Sequence, residues 1–218
     1  MWILRIAGTC MLGLTVWMLS VFPQAAVTAN LPGFTSPVVG FELAGTPADV
    51  ANILGEVGTE VRAETARKMD RGNRIDFAFM VAYAAFHAGI ALLLAAHGLV
   101  RGPVLAVLLG LAALMAPFDA LENRELLFLS SAAPSPEMTA SLARLRVFTL
   151  IKWYAIFGFA LLAAPYVWRE RDWWRWSAPV FGLAGLLGVA WIVYPPALEY
   201  AGYLVALAWL MTYIRSFR

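Results

Sequence analysis

The chain is poor in charged residues and nearly free of cysteine. Only 14% of its 218 residues are charged, whereas an ordinary soluble domain carries about 25%. This shortage excludes an ordinary soluble domain. The single cysteine, Cys10, excludes a disulfide or a cysteine metal site within one chain. The formal net charge of +2 is too small to predict nucleic acid as a partner.

Histidine is scarce, and the familiar catalytic motifs are missing. His87 and His97 lie ten residues apart on one apolar run, about 15 Å along a helix. This pair excludes histidine-box di-iron chemistry and a haem held by two histidines of one chain. The sequence contains no GxSxG, HExxH or GxxxxGK[ST] pattern. We therefore predict no metal site and no cofactor, and we favour a protein that is not an enzyme.

Apolar runs of membrane-spanning length are what the sequence has in abundance. Hydrophobic residues make up 61% of the chain, and the mean hydropathy is +0.73. A span needs roughly 17 to 25 residues. The runs predict an all-α polytopic transmembrane helix bundle with six spans, and with the lipid bilayer as its first partner. The six candidate spans are Ile6–Phe22, Phe77–Val100, Pro103–Phe118, Val147–Trp168, Ala178–Tyr194 and Ala197–Ile214.

Arginines cluster where alternate spans end, and this predicts an orientation. Arg5, Arg101, the group in RERDWWRW and Arg215 fall on one side if the N-terminus is inside. We expect an N-in, C-in protein of the bacterial cytoplasmic (inner) membrane. Small residues near Val27 leave a second interpretation open, a cleaved signal peptide and five spans. The long apolar run behind a lone arginine favours an anchor.

Four regions follow from this pattern. Residues 1–22 form a signal anchor and first span, and residues 23–74 an external loop with amphipathic helices. Residues 75–168 form a three-helix core, and residues 169–218 a tryptophan- and arginine-rich interfacial segment followed by a hairpin of two spans. Gly182, Gly185 and Gly188 recur at every third position of that hairpin, which predicts close packing on another helix.

The external loop contains the signature of a short helix. Thr46, Pro47 and Asp49 form a capping-box pattern with proline at the first helical position. The helix should run to about Gly55 and bury an apolar face that consists of Val50, Ile53, Leu54 and Val57. A second helix is expected from Thr59 to Arg71. We predict that both form an external helical cap on the bundle; a solvated linker is the alternative.

The stretch PFDALENRELL, residues 117–127, brings charge to the end of the third span. Asp119, Glu122 and Asn123 share one helical face, so we expect the helix to continue to about Leu129. Lys152 lies as far from the inner boundary as Asp119, about 24 Å along the axis, which predicts that it pairs with a carboxylate of this face. The full set of candidate residues for a ligand or a polar network is Asp76, His87, Asp119, Glu122, Asn123, Arg146 and Lys152.

Four stretches together resemble a family of bacterial polytopic membrane proteins. They are FELAGT (residues 41–46), RIDFAFMVAY (74–83), DALEN (119–123) and TLIKW (149–153). The resemblance covers residues 41 to about 164. It implies a common core with a capped external helix and a lysine after a DxxEN turn, and it implies no activity and no catalytic residue.

Three functions fit these features. The first is a non-enzymatic accessory or assembly subunit, with other membrane protein subunits as partners. The second is a small transporter or binder of a small or amphipathic molecule. The third is a membrane enzyme that uses Asp119 and Glu122. A buried polar network that fixes the packing of the helices is the simplest role of the candidate residues.

Overall fold

The computed structural model describes residues 1–218, and the chain is all-helical. Eight α-helices and one 3-10 helix, Trp173–Ser177, follow one another. The α-helices are α1 (Trp2–Val21), α2 (Pro37–Glu42), α3 (Pro47–Leu54), α4 (Glu60–Ala96), α5 (Gly102–Ser131), α6 (Pro136–Val167), α7 (Ala178–Ala190) and α8 (Ala197–Arg215).

Five of the helices are long and apolar enough to cross a membrane: α1, α4, α5, α6 and α8. The predicted fifth span, residues 178–194, contains only the 13-residue α7, after which Trp191 begins a turn. A helix of that length extends about 20 Å, which is less than a hydrocarbon core of about 30 Å. Helix length therefore identifies a multi-pass protein with five candidate spans.

Helix α4 is one element where two were expected. We predicted an external helix that ends near Arg71 and a separate span from Phe77, whereas the structure has a single helix of 37 residues. The start is as predicted, because the Thr59 hydroxyl accepts from the Arg62 main-chain N–H at 3.2 Å. Neither proline nor a left-handed residue interrupts the chain after it. The change in hydropathy between Arg71 and Phe77 marks where the apolar stretch begins, and it does not end the helix.

Helix α5 extends as the polar face predicted. It ends at Ser131, close to the expected Leu129, and it runs through Pro117 without a break. Membrane helices tolerate an internal proline because neighbouring groups compensate for the lost hydrogen bond. The polar residues after Pro117 therefore lie on a helix.

The chain divides into two compact units, and each of α4, α5 and α6 contributes residues to both. Unit 1 consists of Met1–Leu12, Met80–Ala116 and Lys152–Arg218, and unit 2 of Gly13–Phe79 and Pro117–Ile151. In unit 2, α2 and α3 pack on α4, α5 and α6 through one hydrophobic cluster. Its members are Phe41, Ala44, Val50, Ile53, Leu54, Met69, Leu126, Leu129, Met138, Leu142 and Leu145.

Helix α3 confirms most of its predicted face. The capping box of Thr46 and Asp49 is formed, and Val50, Ile53 and Leu54 are buried. The prediction for Val57 is wrong, because its side chain is 49% exposed. Gly55 ends the helix with a φ of +100°, a conformation that glycine adopts without strain. The chain leaves the face of α3 at that point.

In unit 1, the glycines of α7 pack on α6 as predicted. A Cβ on Gly185 would lie 2.6 Å from the Cβ and 2.9 Å from the Cα of Leu161, and one on Gly188 would overlap Phe157. The interfacial position of RERDWWRW stays a prediction. Trp176 is 60% exposed, whereas Trp174 is fully buried and its indole N–H donates to the Thr212 hydroxyl at 3.0 Å.

Candidate functional site

Unit 2 buries an unusual number of polar side chains. Two acids and an amide of α5 share the face expected from the sequence: Asp119 is 3% exposed, Glu122 fully buried and Asn123 2% exposed. Glu42, Asn73 and Thr149 are also buried. Removing such groups from water is costly unless they find partners. Their contacts therefore decide whether the cluster is a scaffold or a site.

Asn123 lies at the centre of the contacts between α4 and α5. Its Nδ2 amide donates to Oδ2 of Asp76 at 2.7 Å and to the main-chain oxygen of Asn73 at 3.3 Å. The structure thus brings together two predicted residues, Asp76 and Asn123, and adds Asn73. The Thr149 hydroxyl donates to the main-chain oxygen of Glu42 at 3.2 Å, which ties α2 to α6.

Glu125 forms a second buried polar contact, which the sequence did not single out. Its carboxylate accepts from the Ser141 hydroxyl at 2.7 Å and from Arg144 at 2.8 and 3.2 Å. Arg124 donates to it as well, at 3.2 Å. The only sequence signal was an acid at one end of α5 and a serine and arginine three positions apart on α6. All of the donors are supplied by the chain itself.

Arg62 is the most consequential residue that sequence reasoning missed. Its guanidinium is 6% exposed and donates to the main-chain oxygens of Gly55, Leu129 and Ala132, at 3.0, 3.2 and 3.2 Å. These oxygens belong to the carboxyl ends of α3 and α5, where carbonyls lack partners within the helix. An arginine in a polar stretch of helix gives no signal of this role.

Two further candidates differ in their exposure. Arg146 is exposed, so it is not a member of the buried set. Lys152 is 5% exposed, and its ammonium lies 4.9 Å from the centre of the Trp153 ring, a distance typical of a cation–π contact. The pairing of Lys152 with a carboxylate of α5 stays a prediction.

His87 lies in unit 1 among aromatic rings. Trp209 Nε1 donates to His87 Nε2 at 3.3 Å, and His87 Nδ1 lies 2.8 Å from the main-chain oxygen of Tyr83. Because Nε2 accepts, Nδ1 must carry the proton and donate, which describes a neutral imidazole. The Phe159 ring packs edge-on at 4.7 Å. Both ring nitrogens are engaged, as expected of a packing histidine.

The arrangement gives no sign of metal chemistry. No group of three or more His, Cys, Asp and Glu side chains lies close enough to hold a metal ion.

No protein-family model, no curated protein and no solved structure matches this chain. The resemblance to bacterial polytopic membrane proteins therefore stays a prediction.

Proposed function

We propose that this chain is a non-enzymatic accessory or assembly subunit of a complex in the bacterial inner membrane. The observation that supports it is that two charged groups buried in unit 2 find their hydrogen-bond partners within the chain. Glu125 takes its hydrogen bonds from Ser141 and two arginines, and Arg62 donates to three carbonyls. A catalytic or transport site needs donors and acceptors that are left for a substrate, whereas these are used within the chain.

Such a network suits a scaffold. Buried polar groups that are fully satisfied make packing specific, and the loss of one partner leaves the other at a high cost. Arg62 and Glu125 together link α3, α4, α5 and α6. The short helices α2 and α3 would then form a rigid external cap, and the chain would present a fixed surface to another subunit.

Contacts within unit 1 support six crossings. Arg5 Nε, near the start of α1, donates to the main-chain oxygen of Ser216, which follows α8, at 2.7 Å. Thr9 and Tyr213 share a hydrogen bond of 2.8 Å between their hydroxyls. The start of α1 and the end of α8 thus lie side by side, which fits an even number of crossings. With five long helices, α7 and the turn after it would supply the sixth, in the N-in, C-in orientation.

A surface for the partner is available at the start of α4. Val57 and Val61 are 49% and 53% exposed, and they lie outside the apolar stretches that would face lipid. A contiguous apolar patch outside the lipid-facing stretches marks a protein contact, and we propose that these two valines belong to one. We assign the partner's docking surface to these two valines.

Purification in a mild detergent followed by native mass spectrometry tests the proposal. The expected result is a partner that is present in a fixed stoichiometry. The double variant Val57→Glu with Val61→Glu should lose this partner while the melting temperature of the chain stays unchanged. Val27→Glu is the matched control, because Val27 is also exposed outside the spans and should retain the partner. A protein that runs alone from its native membrane contradicts the proposal.

A second function, the binding of a small molecule, is favoured by one observation in unit 2. Asn73 is 2% exposed, and its Nδ2 amide has no hydrogen-bond partner, nor does Oδ1 of Asp70 nearby in α4. A donor and an acceptor that are both buried and unused suit a small polar ligand. A bound small molecule in the native spectrum, lost in Asn73→Leu, would favour this function over the first.

A further inference from the structure

A cavity in unit 1 combines basic and apolar walls. It is a half-open cavity of about 490 Å³ between the start of α1, the end of α4 and the end of α8. Its basic wall consists of Arg5, Arg215 and Arg218, with His97 beside them, and its apolar wall includes Ile3 and Leu92. A volume of this order accommodates a group the size of a small ligand. We name it the basic cavity.

The arginines of the basic cavity are held in place and keep donors to offer. Arg5 uses Nε for the Ser216 oxygen and lies 5.2 Å from the Phe217 ring centre, while Arg218 lies 5.4 Å from that of Trp173. A guanidinium has five N–H donors, so further N–H groups remain. Fixed arginines of this kind match the geometry of a phosphate oxygen pair.

The charge at the basic cavity is positive. Two carboxylates oppose the three arginines: Asp172 binds Arg215 at 2.6 Å, and Glu170 Oε1 lies 2.7 Å from His97 Nδ1. Because the excess is positive, an anion is the ligand that this wall selects.

The apolar walls indicate which anion. Ile3 and Leu92 are 42% and 48% exposed, on helices that carry membrane-length apolar stretches. A second, shallow groove of about 380 Å³ is lined by Trp2, Ile6 and Phe217, and Arg5 lines both. Arg5 thus borders two apolar surfaces. This is the position expected of a residue that binds a lipid headgroup while the acyl chains lie on the apolar surfaces beside it.

We propose that the basic cavity binds the phosphate of an anionic glycerophospholipid. Arg5, Arg215 and Arg218 hold the phosphate, and the first carbons of the acyl chains lie on Ile3, Leu92 and the groove beside Trp2. Basic pockets between spanning helices bind such headgroups. The lipid joins the ends of α1, α4 and α8 and stabilises unit 1 by binding only the folded state.

The test is the melting temperature of the delipidated full chain in detergent, titrated with phosphatidylglycerol, phosphatidylcholine or glycerol 3-phosphate. Phosphatidylglycerol should raise it and the other two should not. In Arg5→Gln with Arg218→Gln, the apparent dissociation constant for phosphatidylglycerol should rise roughly tenfold or more. The control Arg169→Gln with Arg171→Gln removes the same charge outside the cavity and should leave the constant nearly unchanged.

Three results overturn the proposal. An equal effect of phosphatidylcholine means that the headgroup charge is not recognised, and an equal effect of glycerol 3-phosphate assigns the cavity to free phosphates. An equal loss in the control variant means that only general surface charge matters. If the cavity variant fails to fold, the wild-type chain still decides. After gel filtration from an equimolar lipid mixture it should retain phosphatidylglycerol in several-fold excess, and equal retention sinks the proposal.

Discussion

The amide of Asn123 donates to the carboxylate of Asp76 at 2.7 Å, from α5 to α4. Asn123 is 2% exposed, and its amide also reaches the main-chain oxygen of Asn73. A charged acceptor and a buried donor form one of the stronger hydrogen bonds in a protein. The contact couples two residues that the sequence analysis had selected separately. It can be tested by exchanging the amide and the carboxylate between the two positions.

Asn123→Asp places a second carboxylate against Asp76 and removes the donor. We expect a loss of about 2 kcal/mol in the free energy of unfolding, because the hydrogen bond between the two helices is lost and two carboxylates meet in its place. Adding Asp76→Asn restores an amide–carboxylate pair with the roles reversed, so about half of the loss should return. Thermal melts in detergent of the two single variants and the double variant measure this. A double variant as unstable as the sum of the singles contradicts the coupling.

Gly185→Ala should lower stability, because its Cβ would lie 2.6 Å from that of Leu161 and 2.9 Å from main-chain atoms that cannot move aside. Overpacking of this kind costs about 1 to 3 kcal/mol. Gly110→Ala is the matched control in α5, since a Cβ added there would meet no atom within 4 Å. The control should be neutral or stabilising by up to about 1 kcal/mol. Equal melting temperatures for the two variants would place α7 away from α6.

Arg62→Lys should destabilise unit 2 almost as much as Arg62→Gln. The guanidinium donates to three carbonyl oxygens from two chain segments. The ammonium of lysine, on its flexible side chain, does not reproduce the forked arrangement of these donors. We expect each change to cost about 2 to 3 kcal/mol and to expose the segment that contains α2 and α3 to limited proteolysis. Arg67→Gln, on the exposed side of the same helix, should leave the cleavage rate unchanged.

Six crossings predict that residues 2 and 217 lie on one side of the membrane and residue 57 on the other. Each of the exposed residues Trp2, Phe217 and Val57 is replaced singly by cysteine in a Cys10→Ser background. Reaction with a membrane-impermeant maleimide then shows on which side of the membrane each position lies. The cysteine at position 57 should react in intact cells, and the other two only after permeabilisation. Reaction of positions 2 and 217 from opposite sides would show that α7 does not cross.

Much of the fold follows from patterns between neighbours in the sequence. The apolar runs predicted the all-α membrane class, the Thr46–Asp49 capping box predicted α3, and the spacing of Asp119, Glu122 and Asn123 predicted that α5 continues past Pro117. Each pattern acts over a few residues, through the helical period, a cap or the cost of hydrating apolar surface. The sequence alone therefore determined the helical membrane class, the start of α3 and the continuation of α5.

The tertiary structure decided how the ends are joined. The three acceptors of Arg62 lie as far as 70 residues away, and two donors to Glu125, Ser141 and Arg144, come from another helix. Neither Arg62 nor Glu125 therefore differs in its local sequence from a solvated charge. Val57 is exposed because of the turn at Gly55. Burial of a polar group depends on which distant partner reaches it, and no period or local propensity encodes that partner. The adjacency of Arg5 and Ser216, 211 positions apart in the sequence, belongs to the same class of information.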